Sequence, residues 1–420
     1  MTAPSSSYDR RAGSAQGAPS LAESAEVRLA SANLERGLAL RAMGRHREAS
    51  AAFEQAVSGY RGPSAEDPLV FPYLAVAVLN MGNALSDLGH LDEALAAYKE
   101  AAGLYRELEQ ANPNFFRPEI AGTLSNLGNA LADLGRRDEA LAAYEEAIAL
   151  YRAPAATQPG ASPEDLAMVV GNLGTLLTDL GRRSEALVAY DEALMLYRAS
   201  AERDPGAYSG NVATVLNNLG GLLKDLGRPS EALGAYEEAL LLYRALASRE
   251  PDAYQPDVAM TLGNLGNLLV ELDRLKEALA AHEEALALRR AVADREPDAP
   301  DPDLAMALNN IGNTLRELGQ SQKAITAFQE ALDIRRRLAE RYPEAFVPRV
   351  AMTLNNIGAV LSDLSDWQGA MAAYEEAAAL YGPLAVTWPA VFAERLATVQ
   401  RNMDDARGQG QPPSQDRPGG

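Results

Sequence analysis

The stretch Leu216–Arg244, LNNLGGLLKDLGRPSEALGAYEEALLLYR, decides how this chain folds. Close copies start at Leu262 (LGNLGNLLVELDRLKEALAAHEEALALRR) and at Leu308 (LNNIGNTLRELGQSQKAITAFQEALDIRR). The glycine after each Asn-Leu or equivalent pair marks the register: Gly82, Gly128, Gly174, Gly220, Gly266, Gly312 and Gly358, each 46 residues from the last. A degenerate copy precedes them, with Gly37 standing 45 residues before Gly82. A fixed period of about 20–50 residues is the signature of a solenoid, in which each unit buries its apolar face against its neighbours.

Within the unit, apolar spacing predicts two helices. Val215, Leu216, Leu219, Leu222, Leu223 and Leu226 form one helical stripe, giving a helix A over about 211–226. Gly227 supplies the left-handed residue that closes a helix. Helix B opens near Pro229, with Glu231 favourably placed against the helix dipole. Its stripe is Ala232, Leu233, Tyr236, Ala239, Leu240 and Tyr243, and it runs to about Arg249, where Glu250-Pro251 stops it. Short connections make the two helices antiparallel neighbours. A mid-helix glycine costs about 1 kcal/mol relative to alanine, so its recurrence requires close approach of helix B. The alanines Ala94, Ala140, Ala186, Ala232, Ala278, Ala324 and Ala370 sit at the matching place there.

Asn-Leu-Gly, Leu-Gly-Arg, Glu-Ala-Leu, Tyr and a second Glu-Ala-Leu together resemble the tetratricopeptide repeat, over residues 25–381. The resemblance implies an all-α, right-handed superhelical solenoid of antiparallel helix pairs, with helix A lining a concave groove. The unit is longer than the usual ~34 residues and is similar to the long-unit arrays of kinesin light chains and bacterial signalling proteins. The extra length is assigned to an extended helix B closed by Arg-Glu-Pro-Asp-Ala-Tyr-type loops. Asp273 and Ser365 depart from the helix-ending glycine, and His282 and Phe328 from the helix B tyrosine. The last full unit, with Trp367 and Gly369, is the least regular. The expected organisation is a disordered tail over 1–24, eight helix pairs over 25–389 (the first pair at about 25–61, then a linker at 62–68), a polar capping helix at 390–406 and a disordered tail at 407–420.

Bulk composition narrows the function. The chain has 420 residues, 38 basic against 58 acidic, and a net charge of -20. That balance argues against nucleic acid or an anionic membrane as partner. There is no cysteine, no apolar signal segment at the N-terminus and no apolar run near ~18 residues, so a cytoplasmic location is the default expectation. No catalytic constellation interrupts the repeat. His46, His90 and His282 lie in different units without metal-ligand spacing, and no phosphate-binding loop or nucleophile elbow occurs. The expectation is a protein that is no enzyme and takes no cofactor or metal. The Glu-Glu pairs of helix B recur in register and are expected to face solvent.

What recurs with polar character on helix A is a stripe. Two residues before each landmark glycine stands an asparagine: Asn80, Asn126, Asn172, Asn218, Asn264, Asn310 and Asn356. Seven residues later stands an acid: Asp87, Asp133, Asp179, Asp225, Glu271, Glu317 and Asp363. Seven residues are almost two turns, so both share a face. Between them lie Asn83, Asn129, Asn267 and Asn313, with Thr175, Gly221 and Ala359 in the other units. An asparagine amide both donates and accepts, so this ladder is a candidate peptide-binding groove with an acidic rim, and arrays resembling this one bind peptides through such asparagines. The structural alternative for the amides is a bond to a neighbouring helix. For the acids it is an ion pair with Arg136, Arg182, Arg228 or Arg274, three residues on, or capping of helix B.

With Lys224 and Arg316 as the cations of the stripe, the lysine-and-arginine grip of co-chaperone domains on acidic tails is not expected. The function that follows is a scaffold or adaptor holding a protein or extended peptide, neutral or basic. Self-assembly into homo-oligomers, or a peptide sensor acting in trans on an effector enzyme, are the alternatives.

Overall fold

A computed structural model describes residues 24–153, 162–294 and 301–410. All of the expected N-terminal tail but Ser24, and positions 411–420 of the C-terminal one, lie outside the described residues. The described chain is helical throughout, with seventeen helices and no strand among the described residues.

The chain divides into two compact units, at Val215 and Leu216. The first holds α1 (Ala25–Ala42), α2 (His46–Glu66), α3 (Phe71–Asp87), α4 (Leu91–Ala111), α5 (Arg117–Asp133), α6 (Arg137–Arg152), α7 (Pro163–Asp179) and α8 (Arg183–Arg203). The division falls inside α9 (Pro205–Asp225). The second holds α10 (Pro229–Ala247), α11 (Pro251–Glu271), α12 (Leu275–Ala293), α13 (Pro302–Glu317), α14 (Ser321–Arg341), α15 (Pro343–Asp363), α16 (Trp367–Thr387) and α17 (Pro389–Gly410). Odd-numbered helices are the A helices and even-numbered ones the B helices.

Within each unit, leaving out α9, each A helix packs on its own B helix and each B helix on the next A helix. Within each unit successive A helices also touch across the pair boundary, whereas successive B helices stand further apart. The A helices therefore form the closer-set layer.

The helix ends follow local chemistry. Gly44, Gly89, Gly135, Gly181, Gly227 and Gly319 all have φ near +70°, and Asp273 and Ser365 take the same left-handed conformation at φ 57° and 61°. At Gly227 the amide bonds Lys224 O at 2.9 Å, and Arg228 N reaches back to Leu223 O at 2.9 Å. Those bonds satisfy carbonyls that a helix end leaves open.

The reason for the recurrent mid-helix glycine is sharper than a match to the helix B alanines. A Cβ on Gly220 would stand 2.8 Å from the ring of Tyr236, sixteen residues on. The same ring meets the same glycine at Tyr98, Tyr144, Tyr190, His282, Phe328 and Tyr374, and at Phe53 against Gly37 in the first pair. The alanines are buried as well, but the ring is what requires the glycine.

Where the extra residues of the long unit sit differs from the expectation. Pro251-Asp-Ala-Tyr is the first turn of α11, not a loop. The same holds at Pro205 and Pro343, so α9, α11 and α15 each reach 21 residues. A proline that cannot continue one helix is well suited to open the next, since its missing N–H is unbonded there anyway. The expected linker at 62–68 is likewise mostly helical, α2 continuing through Pro63 to Glu66. The last helix passes the expected end at 406 and runs to Gly410. An Arg407–Asp404 pair spans that extension at 3.3 Å.

Candidate protein-binding face of the A helices

The asparagines sit where helix A faces its neighbour. Asn80 is buried, and Asn126, Asn172, Asn218, Asn264, Asn310 and Asn356 are half-buried, while the acids seven residues on are exposed. Most of the amides are held by the preceding A helix. In the first unit Asn126 Nδ2 donates to Asn83 Oδ1 at 3.0 Å, and Asn172 Nδ2 to Asn129 Oδ1 at 3.1 Å. In the second, Asn264 donates to Asn217 (3.1 Å), Asn356 to Asn309 (3.3 Å) and Asn402 to Asn355 (2.9 Å). Asn356 also reaches Asn313 at 3.4 Å.

In the first unit the accepting oxygens are themselves placed by the helix B tyrosines: Tyr98 donates to Asn83 at 3.0 Å and Tyr144 to Asn129 at 2.6 Å. Asn80 bonds its own helix, at Val76 O. Asn310 makes no such bond among the described residues, and Gly263 stands where Asn217, Asn309 and Asn355 offer an oxygen to other amides. A bonded amide keeps its Oδ1 and a second N–H, in one fixed orientation.

The acids do not pair with the arginines three residues on. Arg136, Arg182, Arg228 and Arg274 instead grip Glu139, Glu185, Glu231 and Glu277 in the first turn of helix B, at 2.6–2.7 Å. Both partners there belong to one helix start, and the dipole favours the glutamate. Nor do the acids cap helix B among the described residues, and the N-cap side chains of most B helices make no capping bond either. Three of the acids meet a cation of the preceding A helix: Arg41 for Asp87 at 2.7 Å, Lys224 for Glu271 at 3.4 Å and Arg316 for Asp363 at 2.6 Å; Asp87 also lies 3.2 Å from His46, and Asp225 lies 4.0 Å from Lys224 of its own helix. Asp133, Asp179 and Glu317 have no ion pair among the described residues. Burial raises the Asp133 pKa.

The opposite layer differs in kind. The second acid of each helix B pair takes an arginine of the preceding B helix: Arg106–Glu146 and Arg152–Glu192 in the first unit, Arg244–Glu284, Arg290–Glu330 and Arg336–Glu376 in the second, all within 2.5–2.7 Å. These glutamates face solvent as expected, but as rungs of an ion-pair ladder between units.

A third column of the A face escaped the sequence reading. Seven residues before each landmark asparagine stand Tyr73, Glu119, Asp165 and Asn211 in the first unit and Asp257, Asp303 and Arg349 in the second, with Arg395 on α17. The 46-residue register and the seven-residue step were together enough to find it. Beside this column the buried helix B position usually holds tyrosine (Tyr105, Tyr151, Tyr197, Tyr243, Tyr381), but Arg289 and Arg335 replace it twice. Arg289 has a counter-ion in Asp303 at 2.9 Å. Arg335, 3% exposed, reaches the neutral oxygens of Asn309 and Arg349 at 3.3 Å, and the Thr353 hydroxyl. Burial, then the Arg349 charge, pull its pKa down to about 10. The A face of α15 and α17 also bounds a polar depression of about 290 Å³ lined by Asn355, Asn356, Trp367, Tyr374, Asn402 and Asp405, among others. No cluster of metal-ligating side chains occurs among the described residues.

Three tetratricopeptide repeat models match this chain. One covers residues 165–245 and 290–337, a second 74–113, 120–153, 258–301 and 350–382, and a third 30–58. The chain belongs to the tetratricopeptide repeat family. No curated protein matches the chain. Among solved structures, the apo form of RapI is similar over 91% of this chain and 98% of its own, at 13% identity and a TM-score of 0.55. BtubC from P. vanneervenii is 26% identical, over 59% of this chain and 92% of its own, with a TM-score of 0.49. A tetratricopeptide repeat protein from Parabacteroides merdae is 14% identical over 79% and 98%, with a TM-score of 0.43. The tetratricopeptide array is thus a protein–protein interaction scaffold, and the matching models include no catalytic family. No described helix is long and apolar enough to cross a membrane.

Proposed function

We propose that the A-helix face of the tetratricopeptide array holds an extended segment of a partner protein, neutral or basic along most of its length, in the cytoplasm. The observation that carries this reading is the asparagine ladder. The preceding A helix fixes the amides of Asn126, Asn172 and Asn264 in place, yet each of these retains an oxygen and an N–H. Helices packed about 8–10 Å apart present such a group roughly every three residues of an extended chain, which rises ~3.3 Å per residue. Amides so placed bond a peptide backbone whatever its side chains are, and a preorganised face loses little entropy on binding. The acids without counter-ions, Asp133, Asp179 and Glu317, favour cationic side chains beside that backbone.

The test is affinity capture with the intact chain against the triple variant Asn172→Ala, Asn218→Ala, Asn264→Ala, with Arg244→Ala in the outer ladder as control. Partners lost in the triple variant and kept by the control support the reading. Retention of every partner by the triple variant would assign the ladder to structure alone.

A further inference from the structure

We propose that Arg349 and Arg395 form an oxyanion site at the C-terminal end of the A face, which takes a carboxylate of an acidic stretch in the bound protein. This rests on the reading of the A face as the binding face and adds a polarity to it. Arg349 lies seven residues before Asn356 on α15, and Arg395 seven before Asn402 on α17. Both are therefore on the asparagine stripe, one step further from the acids. In the second unit the same column begins with Asp257 and Asp303, so the charge along it reverses over the last two A helices.

Three features mark this as a built site. First, the two arginines repeat one motif: Phe346-Val-Pro-Arg349 and Phe392-Ala-Glu-Arg395. In each, the guanidinium carbon lies over the ring three residues earlier, at 5.3 and 5.5 Å. The cation–π contact holds the charged group in place without neutralising it. Second, both arginines are exposed and neither has an ion pair among the described residues, in a chain with twenty more acids than bases. Third, Tyr381 connects them. Its hydroxyl donates to Pro348 O at 3.2 Å, next to Arg349, and it also meets the Arg395 side chain.

Arg335 lies behind them, with only neutral oxygens as partners. One unit earlier, Arg289 finds Asp303 fourteen residues on. Fourteen residues on from Arg335 stands Arg349. The position that elsewhere supplies the counter-ion supplies a second cation, and no described side chain brings a negative charge to it. A guanidinium pair is well matched to a carboxylate, which it can hold bidentately.

The probe is a short fluorescein-labelled, C-terminally amidated peptide rich in glutamate, its glutamine counterpart serving as control, measured by anisotropy with the full chain at 0.15 M salt. The glutamate peptide is expected to bind about tenfold or more tighter than the glutamine one. Arg349→Asp abolishes that difference and raises the thermal midpoint, because it gives Arg335 the carboxylate that Arg289 already has. Arg395→Gln, at an exposed position, weakens binding and leaves the midpoint unchanged. Equal binding of the two peptides, no binding of either, or full binding by folded Arg349→Asp or Arg395→Gln would overturn the proposal. Failure of the glutamate peptide beside asparagine-dependent partner capture overturns this inference alone. Arginine-dependent glutamate binding beside capture that ignores the asparagines overturns the wider reading alone.

Discussion

Gly220 and Gly221 are adjacent in the last third of α9, and the structure predicts opposite effects for the same substitution. Replacing a helical glycine by alanine stabilises a helix by about 1 kcal/mol, all else equal. At Gly221 all else is equal, since the new methyl would meet only the Tyr236 hydroxyl, at 3.6 Å. At Gly220 it would stand 2.8 Å from Cε1 and 2.9 Å from Cδ1 and Cζ of the same ring. That ring is 2% exposed and has nowhere to turn. Overpacking of this kind costs about 1–3 kcal/mol, so Gly220→Ala nets roughly 0–2 kcal/mol of destabilisation after the helix gain. The two variants should differ by about 1–3 kcal/mol, with Gly221→Ala the more stable. A solenoid need not unfold in one step, so the suitable assay is amide hydrogen exchange of α9 and α10 peptides by mass spectrometry, which reads local opening directly. Equal stabilisation by both alanines would refute the ring-on-glycine account of the repeat.

Three further outcomes follow from particular contacts. Asp273→Gly relieves a left-handed φ of 57° and should stabilise by up to about 1 kcal/mol, read as a rise in urea midpoint for α11–α12; no change would mean that the aspartate makes an offsetting local bond. Burial holds the His282 pKa below its usual 6.5, so the unfolded chain takes up the proton first as pH falls. The stability that goes with the neutral ring is complete above pH 6.5 and declines from there towards the lower folded value. His282→Phe, which copies the Phe328–Gly312 contact, should flatten that part of a pH–melting profile, and an unchanged slope would place the titration elsewhere. Glu284→Gln removes the outer pair with Arg244, whose two side chains are about half exposed; the loss should be at most about 1 kcal/mol and should disappear in ~1 M salt, as measured by paired melts.

Most of the architecture was legible in the primary structure, because it depends on local rules repeated in register. The 46-residue period, the glycine that closes helix A, the buried leucine, alanine and tyrosine stripes, and the polar asparagine–acid face all follow from spacing and residue type. The segments opening at Pro205, Pro251 and Pro343 were not legible, because one signal, a proline after helix B, both ends a helix and begins one, and sequence alone does not say that the next helix starts at once.

What the tertiary structure decided are the partners. Asn126 bonds Asn83, 43 residues back, and Asp363 meets Arg316, 47 back, because stacking sets A helices side by side, with preceding-helix cations near some acids. Arg136, Arg182, Arg228 and Arg274 turn to the helix B glutamates instead, since those lie in the same helix start. The packing around the tyrosine column likewise leaves Arg335 buried with no acid bound to it among the described residues. Repetition determines which residue types share a face. Which of them satisfy one another, and which are left for a partner, depends on distances between helices that the repeat does not encode.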